Sequence, residues 1–232
     1  MIDIRRSDAR GQTLLDWLDS RHTFSFNNYR DPAQTHFRHL RVINEDIVRP
    51  GEGFATHAHH DMEILTWVLK GALEHKDSLG NGSVIRPGDI QRMSAGTGIM
   101  HSEFNHSSTE PVHFLQIWLF PTTKGLKPGY EQKSLRPSEM KDNLIRIASV
   151  DDSEKTVKVH QEVDLYVSSL EAGRRIGHKL QRGGFGWLQV TSGLVNLNGI
   201  PLRQGDGAAI TGERSIEMAA AESSEFLLFD LT

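Results

Sequence analysis

The sequence predicts an all-β protein, and three features of its pattern support this fold class. Short runs rich in β-branched and aromatic residues recur along the chain, and glycine-containing turns bound most of them. Helical periodicity is scarce, and only residues 14–18 and 137–140 suggest short helical turns. Many short strands with glycine-rich turns are typical of a β-sandwich or a closed barrel. The runs predicted as strands are residues 40–48, 63–69, 112–120, 144–150, 186–191 and 226–231.

The bulk composition excludes several classes of function. The chain has 232 residues, and 26 Lys and Arg against 30 Asp and Glu give a formal net charge of −4, so no basic field favours nucleic acid. No apolar run approaches the roughly 20 residues of a membrane span, and we expect no secretory leader. The lack of cysteine rules out disulfides, iron–sulfur clusters and thiol catalysis, and it predicts a cytoplasmic protein.

Two pairs of metal-ligating residue types are the most informative motif of the chain. His57 and His59 lie two residues apart, as do His101 and Glu103. Because a β-strand points residues i and i+2 to the same face, two neighbouring strands would aim all four side chains into one pocket. Three imidazoles and a carboxylate suit Fe, Mn, Cu, Ni or Zn, whereas Ca prefers oxygen ligands. The sequence therefore predicts a mononuclear metal protein.

A weak internal repeat predicts two β-barrel halves. In residues 68–89, a Gly-containing turn is followed by a hairpin and then by a Gly-Asp turn, and residues 190–206 repeat this order. Aligning the two segments places Lys179 and Gln181 at the positions of the first histidine pair, and Met218 at the position of the second histidine motif. Two halves with metal ligands only in the first are the simplest explanation.

Three segments together resemble the pirin family of the cupin superfamily. The first is the cupin histidine motif with its flanking glycines, and the second is the run from Ala95 to Glu103, which reads Ala-Gly-Thr-Gly-Ile-Met-His-Ser-Glu. The third is the run at residues 19–26, which is similar to the N-terminal signature of that family. The residues of the first motif are Gly51, His57, His59, Glu63 and Gly71.

The resemblance implies a bicupin. This architecture consists of two face-to-face antiparallel β-barrels of the jelly-roll type, with a few short helical turns. The expected boundaries are residues 1–125 for an N-terminal cupin barrel with the metal site, 126–143 for a connection, and 144–232 for a degenerate C-terminal barrel without metal.

The resemblance also implies the ligands of the metal. By comparison with pirins, one divalent transition metal ion is held by His57, His59, His101 and Glu103. Fe(II) is the favoured ion, and Cu, Mn, Ni and Zn are alternatives. Glu63, a frequent ligand in other cupins, then becomes a structural or outer-sphere group. A site in which the three histidines bind the ion without Glu103 is an alternative, since three-ligand sites are common.

The remaining histidines are predicted to be structural or exposed. His60 should point away from its neighbour His59. His113 cannot share a strand face with Gln116 and Trp118. No functional role is needed to explain His22, because nearby phenylalanines on the same strand face are expected to be buried with it. The histidines without a partner at ligand spacing are His75, His106, His160 and His178.

The resemblance implies quercetin 2,3-dioxygenase activity, in which O₂ opens the heterocycle of a flavonol and carbon monoxide is released. Glu103 is the candidate general base. The expected partners are a small aromatic, flavonol-like substrate and O₂, with no direct contact with nucleic acid or membrane. The alternative is a non-catalytic, redox-sensing metal protein that regulates a protein partner. The candidate wall residues of the pocket are Phe54, Met62, Leu115 and Ile117.

Overall fold

The computed structural model describes residues 1–151 and 153–232, and antiparallel strands make up most of the described chain. The predicted all-β fold class is therefore confirmed. The chain divides into two compact units. The N-terminal unit comprises Gly11–Ser134 and Val157–Gln161, and the C-terminal unit comprises Met1–Arg10, Leu135–Thr156 and Glu162–Thr232.

The strands and helical turns follow one another along the chain in the order given below. The first half contains β1 (Ile2–Arg5), a 3₁₀ turn (Ser7–Ala9), β2 (Gly11–Leu14), β3 (Leu18–His22), β4 (Leu40–Val48), β5 (Gly53–His59), β6 (Glu63–Lys70), β7 (Leu73–Asp77), β8 (Gly82–Ile85), β9 (Asp89–Ser94), β10 (Ile99–Asn105) and β11 (Val112–Leu119). The second half contains β12 (Gly129–Ser134), α1 (Pro137–Met140), β13 (Ile145–Ser149), β14 (Val157–Lys158), β15 (Val163–Leu170), β16 (Arg175–Lys179), β17 (Phe185–Ser192), β18 (Leu194–Leu197), β19 (Ile200–Arg203), β20 (Gly207–Thr211), β21 (Ser215–Ala220) and β22 (Ser224–Leu231). No helix among the described residues has the length and apolar character needed to cross a membrane.

All six predicted strand runs fall on strands, and one of the two predicted helical segments forms. Residues 137–140 form α1, where Pro137 supplies the fixed φ angle that favours a first helical position. Residues 14–18 instead comprise the end of β2, a turn at residues 15–17 and the start of β3. Leu15 and Leu18 close that turn by exchanging backbone hydrogen bonds of 2.8 and 3.3 Å. Pairing between the two strands thus overrides the short helical pattern.

The N-terminal unit consists of two antiparallel sheets. The larger sheet has the strand order β12-β9-β6-β11-β4-β3-β2, and the smaller has the order β5-β10-β7-β8. Side chains from both sheets form an apolar core, which fixes the distance between the two layers. This core contains Leu18, Val48, Val68, Leu73, Ile85, Val112 and Phe114.

The C-terminal unit repeats this arrangement. One sheet contains β1, β20, β17, β22, β15 and β13 as successive neighbours, and a smaller sheet has the order β16-β21-β18-β19. Met218 lies opposite Ile176 on the paired strand, whereas Lys179 lies opposite Ser215. The alignment places Lys179 opposite Met218, as His57 is opposite His101, and it is therefore wrong for at least one of the two residues. Met218 and Ile176 pack in the apolar core of this unit.

The units include segments that the predicted boundaries assign elsewhere. Residues 1–10 group with the C-terminal unit, because β1 pairs with β20 along its length. The predicted connection, residues 126–143, contains β12 and α1, and β12 is an edge strand of the N-terminal unit paired with β9. Backbone hydrogen bonding between strands that are distant in sequence decides these memberships, and the polar composition of the segment carries little information about it.

Candidate metal centre

The two predicted ligand pairs lie on neighbouring strands of the smaller sheet. On β5 and β10, His101 is directly opposite His57, and Ile99 is opposite His59. The ring centroids of the three histidines are 4.5 Å apart for His57 and His101, 4.8 Å for His57 and His59, and 4.9 Å for His59 and His101. The alternation of side chains along each strand brings the three imidazoles together, as the spacing predicts.

The ring nitrogens of this cluster are arranged as potential ligands of one ion. The Nε2 atoms of His57 and His101 are 3.0 Å apart, and one nitrogen of His59 lies within 4.8 Å of those of both other histidines. The Nδ1–H of His57 donates a 2.8 Å hydrogen bond to the Ala55 carbonyl oxygen, so its Nε2 carries a lone pair. A separation of 3.0 Å is compatible with two nitrogens that each lie about 2.0–2.1 Å from a common metal. The donor set therefore fits a divalent transition metal.

Glu103 lies at the edge of the histidine cluster rather than at its centre. Its carboxylate belongs to a second group, in which His75, His101 and Glu103 offer ligand atoms within 4.8 Å of one another. The side-chain amide of Gln116 donates to both carboxylate oxygens, at 3.0 and 2.9 Å. Glu103 is only 3 % exposed, so this amide supplies the hydrogen bond that a buried carboxylate requires. A register shift between His101 and Glu103 in the pairing with β5 accompanies this offset.

Burial makes two of the imidazoles weak bases. The pKa of His59 is lowered to about 4, mainly by burial and then by the neighbouring His101 and His57. The pKa of His101 is lowered to about 3, again mainly by burial, with contributions from His57 and His75. Both rings are neutral near pH 7, so their lone pairs are free to bind a cation.

The metal-free protein is expected to lose stability as the pH falls below about 6.5, the ordinary pKa of histidine. His59 and His101 bind protons near that pH in the unfolded chain, whereas in the folded chain they stay neutral until about pH 4 and 3. Protons therefore favour the unfolded state, and the loss stops growing only when the folded rings are also protonated. Urea midpoints at several pH values between about 8 and 5 measure this slope.

Two variants test whether these histidines cause the dependence of stability on pH. His101→Gln should show a shallower decline with falling pH, because one of the two proton-linked rings is gone. His60→Gln should keep the native slope, since the His60 side chain is 83 % exposed. The same slope in His101→Gln as in the native chain would contradict the linkage.

A cavity that is open to solvent extends from the three histidines. Of the four predicted wall residues, Phe54 lines it. Met62 packs instead in a small apolar cluster, and Leu115 and Ile117 are buried away from the cavity. On β11 the cavity is lined by Gln116 and Trp118 instead. These two side chains point to the opposite face of the strand from Leu115 and Ile117. The apolar and aromatic part of the wall consists of Leu18, Phe26, Phe54, Ile64 and Trp118.

The cavity also has a polar wall, and His22 is part of it. Its Nδ1 lies 2.9 Å from Asn44 Oδ1, and its Nε2 lies 2.8 Å from the Thr13 hydroxyl. Its ring is close to those of Phe26 and Tyr29, at 5.3 and 6.3 Å between centroids. Packing against aromatic residues, which the sequence suggests for His22, is thus only part of its environment. The residue also faces the pocket, and its spacing in the sequence gives no sign of this.

The remaining residues singled out from the sequence lie outside the cluster. Glu63 accepts hydrogen bonds from the Ser94 hydroxyl at 2.9 Å and from the His160 backbone at 3.2 Å, and it does not line the cavity. Its contacts are those of a structural group. His113 pairs with Glu45 at 2.9 Å. His75, by contrast, is fully buried and in contact with His101.

Gly53 allows β5 to approach the strand that carries His101 and Glu103. A Cβ atom at Gly53 would lie 2.2 Å from the Glu103 carbonyl oxygen and 2.5 Å from the Cα of Phe104. Gly53→Ala is expected to lower the free energy of unfolding by about 1–3 kcal/mol, because the strands must separate. Gly82→Ala is the matched control: its Cβ would meet atoms only at 3.9 Å, and we expect a change within about 0.5 kcal/mol. Equal urea-unfolding free energies for the two variants would contradict this account.

Comparison with known families matches both parts of the chain. The family described as Pirin matches residues 3–119. The family described as the quercetinase C-terminal cupin domain matches residues 146–231.

Individual relatives match over the full length. The quercetin 2,3-dioxygenase of Escherichia coli (strain K12) is 46% identical over 231 residues, covering 100% of this chain and 99% of the relative. The crystal structure of the bacterial pirin YhhW from Escherichia coli in complex with nickel(II) has a TM-score of 0.94 and 45% identity, covering 100% of this chain and 99% of that one. GK1651 from Geobacillus kaustophilus has a TM-score of 0.79 at 24% identity, covering 98% of this chain and 93% of that one, and supports the fold alone.

Proposed function

This chain belongs to the pirin family, and on that basis we propose that it is a metal-dependent dioxygenase acting on a flavonol such as quercetin. In this reaction O₂ opens the heterocyclic ring, and one carbon of that ring leaves as carbon monoxide. The observation that carries the proposal is the cluster of His57, His59 and His101 at an aromatic-walled cavity, with the buried carboxylate of Glu103 beside it.

The proposed ligands are His57, His59, His101 and Glu103, and the proposed ion is a single divalent transition metal. Fe(II) is our first choice, with Cu, Mn, Ni and Zn as alternatives, since imidazole suits all of these metals. The related Escherichia coli pirin forms a complex with nickel(II), which supports the choice of a divalent ion. When bound, such an ion supplies Lewis acidity that lowers the pKa of a coordinated hydroxyl.

Glu103 has the proposed role of general base. A carboxylate oxygen of this residue accepts the proton of the flavonol 3-hydroxyl, and the resulting anion is the form that reacts with O₂. The amide of Gln116 holds the carboxylate by its two contacts while leaving further lone pairs on both oxygens. With an ion bound, Glu103 would be either its fourth ligand or the base.

The walls of the cavity bind and orient the substrate. Phe26, Phe54 and Trp118 offer aromatic and apolar surface to a flat aromatic ring system. Trp118 also packs edge-on against His59, with 4.9 Å between ring centroids, so the substrate-facing wall and the ligand cluster are in direct contact. Apolar surface next to the reacting atoms excludes water and protects the substrate anion from protonation.

The alternative is a redox-sensing metal protein that regulates a protein partner. Its physical requirements are an ion that changes oxidation state and a surface that responds to the change. The pocket favours the enzyme, because its wall combines aromatic side chains with a hydrogen-bonded carboxylate next to the ligand cluster. We expect a flavonol-like molecule and O₂ as partners, and the cytoplasm as the location, as the lack of cysteine predicts.

Oxygen uptake after addition of quercetin tests the proposal. The protein is freed of metal and then reconstituted without oxygen with Fe(II), Mn(II), Cu(II), Ni(II) or Zn(II), and the bound metal is measured for each. Quercetin-dependent uptake with at least one metal is the expected result. Stoichiometric metal binding without uptake for any of the five would contradict the enzyme and favour the regulator.

A further inference from the structure

A buried histidine–aspartate pair lies on the Nδ1 side of the His101 ring. Strand β7 is next to β10 in the sheet, with Asp77 opposite His101 and His75 opposite Glu103. The Nδ1 atom of His75 is 3.5 Å from Nδ1 of His101, and the Nε2 atom of His75 is 3.3 Å from Asp77 Oδ2. Both side chains of the pair have no solvent exposure.

We propose that His75 and Asp77 are positioning residues that hold the His101 ring with its Nε2 atom turned into the cavity. The inference rests on the proposed metal centre, because it concerns how one ligand of that centre is oriented. It assigns a role to a histidine whose sequence spacing indicates only a structural one.

The direction of each hydrogen bond follows from what the atoms can donate. Asp77 accepts N–H groups from the turn at residues 79–81 at 2.9–3.2 Å, so it is present as an acceptor and His75 Nε2 is the donor to it. A neutral imidazole has one N–H, so Nδ1 of His75 accepts and Nδ1 of His101 donates. The Nε2 atom of His101 is then left with its lone pair, 3.0 Å from His57 Nε2.

Other contacts hold the pair in place. The His75 ring lies 5.1 Å from the ring of Tyr130, with 31° between the planes. The amide of Gln91 lies 3.5 Å from His75 Nδ1, on the same side of the ring as His101. Metal-ligating histidines usually donate their second N–H to a carboxylate, a carbonyl or water. The Ala55 carbonyl accepts this N–H from His57 at 2.8 Å, and His75 of the buried pair accepts it from His101.

His75 is also close enough to be a ligand itself, within the group that includes His101 and Glu103. Its contacts argue for the positioning role, because Nε2 faces Asp77 and Nδ1 faces Nδ1 of His101. The two roles predict different numbers of bound ions. A positioning residue changes the affinity of one ion, whereas a ligand in a separate site adds a second ion.

The test measures Co(II) binding to the full chain by titration of its visible absorption. His75→Phe keeps a ring against Tyr130 and removes the acceptor, whereas His75→Asn restores an acceptor near the Nδ1 position. His178→Phe is the matched control, because His178 pairs with the buried Asp230 at 3.1 Å in the C-terminal unit. Urea unfolding of each metal-free variant checks that it folds.

We expect His75→Phe to bind one Co(II) with an affinity lowered on the order of 10–100-fold and with a changed absorption spectrum. His75→Asn should recover most of the affinity, and His178→Phe should match the native chain. Native affinity and spectrum in His75→Phe would overturn the proposal. Two ions on the native chain, one of them lost in His75→Phe, would also overturn it and make His75 a ligand.

A further variant covers the case in which His75→Phe does not fold. Asp77→Asn keeps the size of the side chain and weakens the acceptor for His75 Nε2–H, so it should lower Co(II) affinity in the same direction. Native affinity in Asp77→Asn would then overturn the proposal. None of these readouts uses turnover: a chain that binds Co(II) as expected but does not oxidise quercetin disproves the enzyme and leaves the positioning role standing.

Discussion

His101→Ala is expected to remove both metal binding and quercetin-dependent oxygen uptake. His101 is the one residue that belongs to both groups of ligand atoms, and its Nε2 faces that of His57 at 3.0 Å. Loss of a residue that hydrogen-bonds to a metal ligand typically lowers metal affinity about 10–100-fold. Loss of the ligand itself should therefore lower the affinity by more than about 100-fold. Metal content after gel filtration and the rate in an oxygen electrode measure the two effects.

The matched control for this variant is His60→Ala. His60 follows directly after His59 but is exposed, so its side chain has no part in the cluster. We expect native metal content and native oxygen uptake from it. A His101→Ala protein that retains stoichiometric metal and turns over quercetin would show that the cluster is not the metal centre.

Glu103→Gln is expected to lower the turnover number by about 10²–10⁴-fold while much of the metal is retained. The amide keeps the shape of the side chain, but it cannot accept the proton of the 3-hydroxyl, and general base catalysis typically contributes a factor of this size. The three imidazoles remain as ligands. Turnover is therefore expressed per bound metal, which separates the loss of the base from a partial loss of the ion.

Glu63→Gln provides the comparison for removal of a buried carboxylate. Glu63 is 1 % exposed and contacts Ser94 and His160 rather than the cavity. We expect this variant to be less stable but to keep its turnover per bound metal. Full turnover per metal in Glu103→Gln would show that the base is another group, and equal losses in both variants would point to a general structural effect.

The ligand cluster could be predicted from the sequence because it depends on a local rule. Residues two apart on a strand share a face, and this rule places His57 beside His59 without any knowledge of the sheet. The prediction that the two pairs lie on neighbouring strands depended on the resemblance to pirins. In the structure, β5 and β10 are neighbours in the sheet. The role of Glu103 was harder to predict, because a register shift follows His101 and turns the carboxylate towards Gln116.

The surroundings of the cluster depend on pairing that the sequence does not reveal. His75 touches His101 because β7 pairs with β10, and residues 26 positions apart show no common spacing. The walls depend on which face of β11 points inward, and both faces are largely buried there, so Leu115 and Trp118 are equally plausible by composition. Likewise, β1 belongs to the C-terminal unit only through its pairing with β20.

The most direct test of the proposed function is the ratio of carbon monoxide released to O₂ consumed when quercetin is added to the metal-loaded chain. Opening of the heterocycle by a dioxygenase incorporates both oxygen atoms and releases one carbon monoxide for each O₂, so a ratio of one is expected. The rate should depend on bound metal and should fall to background in His101→Ala. Oxygen consumption without carbon monoxide, or with hydrogen peroxide as the product, would mean that the metal merely oxidises quercetin and would contradict ring opening.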